Sequence, residues 1–327
     1  MFTTFKPFLL YAVTSVHAGS GSEIGIVDLP IQREKHTAFP KIESSTLKGA
    51  WKRTVSGRIG ESSEEIADFS KVFGSSPRDD EHNDSQASAV SFLDARILLF
   101  PIRSLRGTFA WVTCPYVVQR YNRELTMLNA ANQEKIDSLI LPVVEAGSVS
   151  GDALLINSAK GETSLSGSIV LEEYTFTVKS SEDTERLAEK LEAWIGTPNG
   201  SIGIRDRLVV LSDDEFTDFV QMSTEVNARI RVEDNGQVEG GLWYEENIPP
   251  ETVFYSALLF GKPRESQKKP NRAGAELIKK SSLHTAEDVK RYVTQDHFPE
   301  VFQLGGSFTI GKGIMRNIRL EGGNENE

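Results

Sequence analysis

Three side chains, one histidine and two acids, are the candidates for chemistry in this sequence. His17 follows an apolar run, Asp28 lies in the mostly apolar stretch 25–30, and Glu245 follows two aromatic residues. A carboxylate near a histidine is suited to general acid–base catalysis or to weak binding of a divalent cation. Each residue also has an ordinary interpretation, since Asp28 suits a turn or a helix cap and Glu245 suits a solvated strand end.

Other catalytic and metal-binding patterns are absent from the sequence. The five histidines show no metal-ligand spacing, and no G-x-S-x-G motif is present. Cys114 is the single cysteine, so an intramolecular disulfide and a cysteine zinc cage are both excluded. We interpret Cys114 as a core residue, and serine-hydrolase chemistry has no support.

A glycine-rich segment, residues 305–313, could bring backbone N–H groups close to a phosphate. It lacks the residue order of a P-loop, and a tight connection between strands explains it equally well. Its candidate phosphate contacts are Gly305, Gly306, Gly311, Lys312 and Gly313.

The net charge of −11 argues weakly against nucleic acid as a partner, but the charge is unevenly distributed. Residues 32–58 hold seven basic and two acidic residues, and residues 262–319 hold twelve basic and six acidic ones. Two basic segments could converge into one phosphate-binding face, although local fluctuation of charge is an equal alternative. The candidate phosphate-binding residues in the first segment are Lys48, Lys52 and Arg53.

The elements that must position these residues alternate between strand and helix. We expect a first strand over residues 8–17, a functional loop over 18–44, and a helix that begins near Ser44 and buries Leu47, Trp51 and Val55. A helical insertion over 59–88 should end in a flexible stretch, because residues 75–88 contain no large apolar side chain.

The remaining pattern favours one α+β unit over residues 1–327, with a ferredoxin-like sheet and insertions. Asn235-Gly236 predicts a hairpin turn, with arms over residues 226–247. No apolar run approaches the roughly 20 residues that span a bilayer, so we expect a cytoplasmic protein without a membrane partner.

Several segments closely resemble the repeated backbone subunit of type III-B CRISPR effector complexes, a Cmr-type protein of the RAMP superfamily. The resemblance extends over nearly the whole chain and rests on His17-Ala18-Gly19-Ser20-Gly21, Val27-Asp28-Leu29-Pro30, segments 31–37, 45–49, 100–105 and 223–225, Leu242-Trp243-Tyr244-Glu245-Glu246 and the terminal glycine-rich segment.

The resemblance implies a modified RRM-like palm with a helical insertion and a β-hairpin thumb. It implies that copies of the chain stack helically along a guide CRISPR RNA, beside other Cmr-type subunits, and cleave target RNA at regular intervals in antiviral defence. Asp28 matches the family's catalytic aspartate and is the expected ligand of a divalent cation, Mg²⁺ or Mn²⁺. His17 and Glu245 match further active-site positions, whereas Asn247 stands where the family often has a tyrosine.

Cleavage of this kind fits the chemistry of RNA, which supplies its own nucleophile, the 2′-OH, when the backbone is held in line. A subunit that binds guide RNA without cutting is the alternative function. A nuclease that matures guide RNA is a third possibility, and the full-length resemblance disfavours it.

Overall fold

A mixed sheet of eleven strands is the main element in the described part of the chain. The computed structural model describes residues 2–22, 25–75, 86–130, 136–156, 167–196, 202–234, 236–238, 240–264 and 281–321. The strands in chain order are β1 Phe2–Ala12, β2 Lys41–Ile42, β3 Val90–Phe92, β4 Ala95–Arg103, β5 Phe109–Thr113, β6 Ser148–Val149, β7 Ser168–Leu171, β8 Tyr174–Thr177, β9 Lys179–Ser180, β10 Leu208–Val210, β11 Glu225–Arg229, β12 Trp243–Asn247, β13 Val253–Gly261, β14 Val301–Gln303 and β15 Ile314–Arg319.

The order of the large sheet is β14-β15-β1-β13-β4-β5-β10-β6-β9, with β2 beside β4 and β3 beside β13. Its centre is antiparallel: β1 pairs with β13 and with β15, and β13 pairs with β4. Parallel pairing occurs where β5 meets β10 and where β6 meets β9. Two smaller ladders, β11-β12 and β7-β8, are antiparallel hairpins.

The helices pack their apolar stripes against this sheet. They are α1 Ser44–Ser56, α2 Ser63–Phe73, α3 Pro115–Asn129, α4 Glu182–Ile195, α5 Ile204–Arg207, α6 Asp213–Met222 and α7 Ala286–Arg291, with 3-10 turns at Asp137–Leu139 and Phe308–Ile310 and a π-helical turn at Tyr292–Asp296. In α1 the predicted stripe of Leu47, Trp51 and Val55 is buried, as the spacing requires.

The predicted bounds of the first strand are wrong. The strand begins at Phe2 because its first residues pair with the end of β13, for example Phe5 with Leu259. It ends at Ala12, and Val16 then forms a single antiparallel bridge with Ile248. His17 therefore lies beyond the sheet, at the start of a separate connection.

Two other expectations fall wholly or partly on residues that are not described. The flexible stretch predicted over 75–88 includes residues 76–85, which lie outside the described residues. The hairpin turn includes Asn235, which also lies outside them. Both expectations stay predictions.

No helix in the described ranges combines the length and the apolar character that crossing a membrane would need.

The indole of Trp51 connects α1 to the sheet and to the C-terminal part of the chain. It is fully buried, and its ring centroid lies 5.5 Å from that of Phe8, 5.3 Å from Phe92 and 5.4 Å from Phe298. Aromatic pairs at such distances stabilise a core beyond the area that they bury.

We expect Trp51→Ala to lower the free energy of unfolding by about 3–5 kcal/mol, because it removes a large side chain and leaves a cavity. Urea unfolding followed by circular dichroism measures this loss. The control is Met222→Ala, whose side chain is 66% exposed and whose effect should stay within about 0.5 kcal/mol. Equal effects of the two variants would contradict the proposed role of Trp51 in the core.

Candidate active site

The short strand β12 brings the three candidate catalytic residues together. The backbone N–H of Tyr244 donates a hydrogen bond of 2.7 Å to Asp28 Oδ2, and the ring nitrogen Nδ1 of His17 lies 2.7 Å from the carbonyl oxygen of Glu246. Glu245 stands between these two residues of the strand. Since neighbouring strand residues are about 3.4 Å apart, the two backbone contacts lie within about 7 Å along β12.

The contact at Glu246 fixes the protonation pattern of the His17 ring. A carbonyl oxygen can only accept a hydrogen bond, so Nδ1 must carry the proton and donate it. In the neutral ring this leaves Nε2 as the proton acceptor. A methyl group added to Gly19 would lie 2.7 Å from Nε2, so the glycine leaves that nitrogen room.

The Asp28 side chain also has a structural role, which the sequence did not predict. Its hydrogen bond to Tyr244 is one of three that join Asp28 and Leu29 to β12. The N–H of Leu29 donates to the Tyr244 carbonyl at 3.0 Å, and the N–H of Glu246 donates to the Leu29 carbonyl at 3.0 Å. The attachment of this loop to β12 therefore depends in part on the Asp28 side chain.

The predicted loop 18–44 is stabilised by hydrogen bonds between its own residues as well as by those to β12. Gly19 and Ile31 form an antiparallel bridge, and the Gln32 side chain donates to the Gly19 carbonyl at 3.1 Å and accepts from the N–H of Glu43 at 2.7 Å. These contacts fix both ends of the segment that holds Asp28. Asp28 itself is only half-buried, and Ile26 beside it is 93% exposed.

Glu245 is not the solvated strand end that its sequence context suggests. It is 4% exposed, and its carboxylate lies 2.9 Å from Lys312 Nζ, 3.3 Å from the Ser307 hydroxyl and 3.7 Å from Arg229. Burial by itself raises the pKa of Glu245, but the hydrogen bond and charge of Lys312, followed by the charges of Arg229 and His17, outweigh burial and hold the pKa below its usual range. The carboxylate is thus ionised and neutralised by cations.

Lys312 is the partner that joins the glycine-rich segment to β12. Besides Glu245, its ammonium group donates to Asn247 Oδ1 at 2.9 Å. Asn247 occupies the position where the resembled family often has a tyrosine, and here it contributes to this anchor. Because Lys312 already has two partners in the chain, its predicted contact with RNA would have to compete with them.

Two glycines within residues 305–313 allow this segment to pack closely against backbone carbonyl groups of other residues. A Cβ on Gly305 would lie 2.3 Å from the His17 carbonyl oxygen, and one on Gly313 would lie 1.8 Å from that of Leu304. Both glycines have positive φ, near 80°.

Five backbone N–H groups of this segment donate to carbonyl oxygens of the chain, namely those of Gly306, Ile310, Gly311, Lys312 and Gly313. They are not free to cradle a phosphate, so the tight-connection interpretation explains them better. Contact of the segment with RNA stays a prediction.

The three candidate RNA-binding residues of α1 differ in their surroundings. Lys52 donates to the Gly74 carbonyl at 2.7 Å, and Arg53 donates to the Gln303 carbonyl at 2.9 Å, beside the glycine-rich segment. Lys48 forms no hydrogen bond or ion pair with the part of the chain that the structure describes. Burial lowers the pKa of the Lys48 ammonium, and the charge of Lys52 lowers it further.

Binding of a divalent cation at Asp28 stays a prediction. Among the described residues, no group of three or more histidine, cysteine, aspartate or glutamate side chains is placed to hold a metal ion. Asp28 could offer one carboxylate, so most ligands of such a cation would have to come from RNA phosphates and water.

A comparison with known proteins places this geometry in a family. The sequence profile of the RAMP superfamily matches residues 9–316. The chain belongs to the RAMP superfamily. Within this superfamily, the chain is 34% identical over 312 residues to the CRISPR system Cmr endoribonuclease Cmr4 of Pyrococcus furiosus. The aligned residues cover 94% of this chain and 92% of that protein.

Two solved structures resemble this RAMP protein over nearly its whole length. The crystal structure of oligomeric Cmr4 from Pyrococcus furiosus superposes with a TM-score of 0.61 at 26% identity, over 96% of this chain and 97% of that chain. A chain of the type III-B Cmr-beta complex bound to cognate target RNA gives a TM-score of 0.65 at 24% identity, over 97% of each chain. The second likeness shows the fold alone, a mixed α+β arrangement with one large sheet.

Sequence reasoning missed one residue of this RAMP site, Glu246. Glu246 is 6% exposed, and its carboxylate contacts Arg33 at 2.5 Å. The side chains of two adjacent residues on a strand point to opposite faces of the strand. Two adjacent glutamates can therefore both be buried only when a basic side chain pairs with each of them on its own face. Nothing in the sequence alone identifies those cations.

We expect the stability difference between wild type and Glu245→Gln to depend on pH. The folded-state pKa of Glu245 lies below the ordinary value of about 4.3, so its ionised form stabilises the fold. This contribution is fully present above the ordinary pKa and is lost as the pH falls through the folded-state pKa.

Urea unfolding of both proteins between pH 7 and pH 3 measures the effect. The variant should be roughly 1–3 kcal/mol less stable at pH 7 and approach wild type at the acid end. A difference that stays constant over this range would contradict an ionised Glu245.

Proposed function

We propose that this RAMP protein is the guide-RNA-binding backbone subunit of a type III-B CRISPR effector complex, and that it cleaves complementary target RNA at regular intervals. The observation that carries the proposal is the placement of Asp28 and His17 on backbone groups of Tyr244 and Glu246, two residues apart on β12. The chain is also 34% identical to a protein named as a Cmr endoribonuclease.

The proposed reaction is attack of a ribose 2′-OH on the adjacent phosphorus, which forms the O2′–P bond and breaks the P–O5′ bond. The protein accepts the proton of the 2′-OH, and the departing 5′-oxygen takes a proton from water or from His17 once its Nε2 is protonated. Asp28 keeps one carboxylate oxygen on the Tyr244 N–H and offers the other toward the 2′-OH as a proton acceptor or a cation ligand. His17, with its proton on Nδ1, holds Nε2 available to exchange a proton with RNA. A bound Mg²⁺ or Mn²⁺ would neutralise phosphate charge at Asp28.

The proposed palm consists of the strands in the order β15-β1-β13-β4. Neighbouring strands in this set are antiparallel, α1 follows β1, and α7 precedes β15. This is the order of a ferredoxin-like βαββαβ unit, and it supports the RRM-like palm.

The proposed thumb is the hairpin built on β11 and β12. Alternate residues of its first arm, Val226, Ile230 and Val232, are about half exposed and share one face, while Arg229 and Arg231 lie on the other. An exposed apolar face suits contact with bases or with a neighbouring copy of the chain, which supports a helical stack of copies.

The proposed partners are the guide RNA, the target RNA, further copies of this chain and other Cmr-type subunits, and the proposed location is the cytoplasm. A non-catalytic scaffold remains the second candidate function. The half-buried Lys48, which has no counter-ion among the described residues, would serve a scaffold equally well. Asp28 distinguishes the two, because only cleavage requires its charge.

We expect Asp28→Asn to reduce cleavage by at least ~10²-fold, the usual scale for loss of an acid–base group. Asparagine can still accept the hydrogen bond from Tyr244, so this substitution preserves the loop and removes only the charge. The measurement is cutting of a labelled complementary RNA by the assembled complex with Mg²⁺ or Mn²⁺.

The wild-type complex should give an evenly spaced ladder of products, and target binding should change little in the variant. An uncut target with the wild-type complex would favour the scaffold. A normal ladder from the Asp28→Asn complex would place the catalysis on another residue.

We expect Lys48→Ala to weaken guide-RNA binding equally for every sequence and to reduce its salt dependence by about one counter-ion. The reason is that Lys48 contacts a phosphate rather than a base. The measurement is binding affinity as a function of salt concentration for two unrelated guides.

The matched control is Lys190→Ala in α4. Burial also lowers the pKa of Lys190, but its ammonium group donates to the Ile140 carbonyl at 2.6 Å. This control should leave the salt slope unchanged. A sequence-selective loss in Lys48→Ala would indicate base contacts instead.

A further inference from the structure

We infer that Glu246 is a positioning residue for RNA cleavage. Its carboxylate, its backbone N–H and its carbonyl oxygen all make contacts that hold Asp28 and His17 in place. The inference rests on the proposed function, because it concerns the same site. Glu246 is 6% exposed and is a poor candidate for direct contact with RNA.

The carboxylate of Glu246 holds the chain that follows Asp28. Its Oε2 accepts the backbone N–H of Ile31 at 3.0 Å. Its Oε1 accepts from the Arg33 guanidinium at 2.5 Å and from the Thr224 hydroxyl at 2.7 Å. Both oxygens are therefore occupied by donors, one of which is charged.

The backbone of Glu246 makes two further contacts at the same site. Its N–H donates to the Leu29 carbonyl at 3.0 Å, and its carbonyl oxygen accepts from His17 Nδ1 at 2.7 Å. The residue thus holds Leu29 and Ile31, on either side of Pro30, directly after Asp28. One residue orients both candidate catalytic side chains.

Arg33 is committed to this arrangement rather than to RNA. Its second terminal nitrogen donates to the Ala38 carbonyl at 2.8 Å and to the Val220 carbonyl at 3.0 Å. The side chain of Arg33 is 22% exposed and that of Glu246 is 8% exposed. A charged pair in this setting depends on both partners, because removing one leaves the other charge uncompensated.

Glu246→Gln is nearly isosteric, and it tests whether the Glu246 carboxylate positions Asp28 and His17. The amide of glutamine presents an N–H₂ group where one carboxylate oxygen now accepts, so one of the three donors must move away. A displacement of about 1 Å at reacting groups can cost on the order of 10²-fold in rate. We expect single-turnover cleavage by the assembled complex to fall by ~10–100-fold at saturating target, with target affinity within about twofold of wild type.

The matched control is Glu34→Gln. Glu34 is equally buried, at 6%, and its carboxylate accepts from Arg120 at 2.8 Å and 3.0 Å, so the substitution removes the same charge from a similar ion pair. Glu34 contacts neither the backbone beside Asp28 nor His17. We expect Glu34→Gln to lower the unfolding temperature at least as much and to cleave at a rate close to wild type. Equal loss of cleavage in both variants would overturn the inference, because general destabilisation would then explain it.

A second measurement is independent of cleavage. The ¹⁵N signals of His17 in the free subunit, assigned with His17→Gln, should report a proton on Nδ1 at neutral pH. Glu246→Gln keeps the backbone carbonyl that accepts from Nδ1, so we expect the same tautomer, but with shifted ¹⁵N signals because that carbonyl moves with β12. Glu34→Gln should leave these signals in place, and unshifted signals in Glu246→Gln would overturn the inference whether or not the complex cuts RNA.

Failure of the proposed function is recognised separately. No cutting by the wild-type complex would overturn that function, and normal cutting by Asp28→Asn would move the catalysis to another residue. Normal cutting by Glu246→Gln alone would overturn only the positioning role. If Glu246→Gln does not assemble, Thr224→Val decides, since it removes one neutral donor and leaves the ion pair intact. This variant should lose several-fold in rate, and a wild-type rate would count against the inference.

Discussion

The peptide groups of β12 provide the constraint on which the candidate site depends. Strand pairing fixes them on one side through β11, and the connection after β1 occupies the other side through Leu29. Peptide N–H and C=O groups have fixed directions, so they orient Asp28 and His17 more tightly than flexible side chains would. The site is thus built from main-chain hydrogen bonds between segments that are more than two hundred residues apart in sequence.

Buried charge is the second feature of this region. Glu34, Glu245 and Glu246 are each 6% exposed or less, and each contacts a cation from a distant part of the chain. Such pairs contribute little net stability, because desolvation offsets their attraction. They penalise every arrangement in which one partner is missing, and so they favour a single position for the connection that holds Asp28.

Local patterns predicted the local structure well. The spacing of Leu47, Trp51 and Val55 predicts α1 and its buried face, as the structure shows. The resemblance to Cmr-type proteins located His17, Asp28 and Glu245 in one site. The failures concern contacts between distant segments: periodicity could not show that Glu246 meets Arg33, or that Lys312 meets Glu245. The glycines at 305 and 313 were visible in the sequence, but the carbonyl oxygens that they approach were not.

The hairpin and the site share one strand, since β12 is an arm of the proposed thumb and the support of Asp28 and His17. A two-stranded ribbon carries a larger twist between its strands than a wider sheet does. A contact at the outer end of the hairpin that changes this twist also turns the peptide groups of Tyr244 and Glu246. The same strand makes the geometry of the reacting groups sensitive to mechanical force on a surface remote from them.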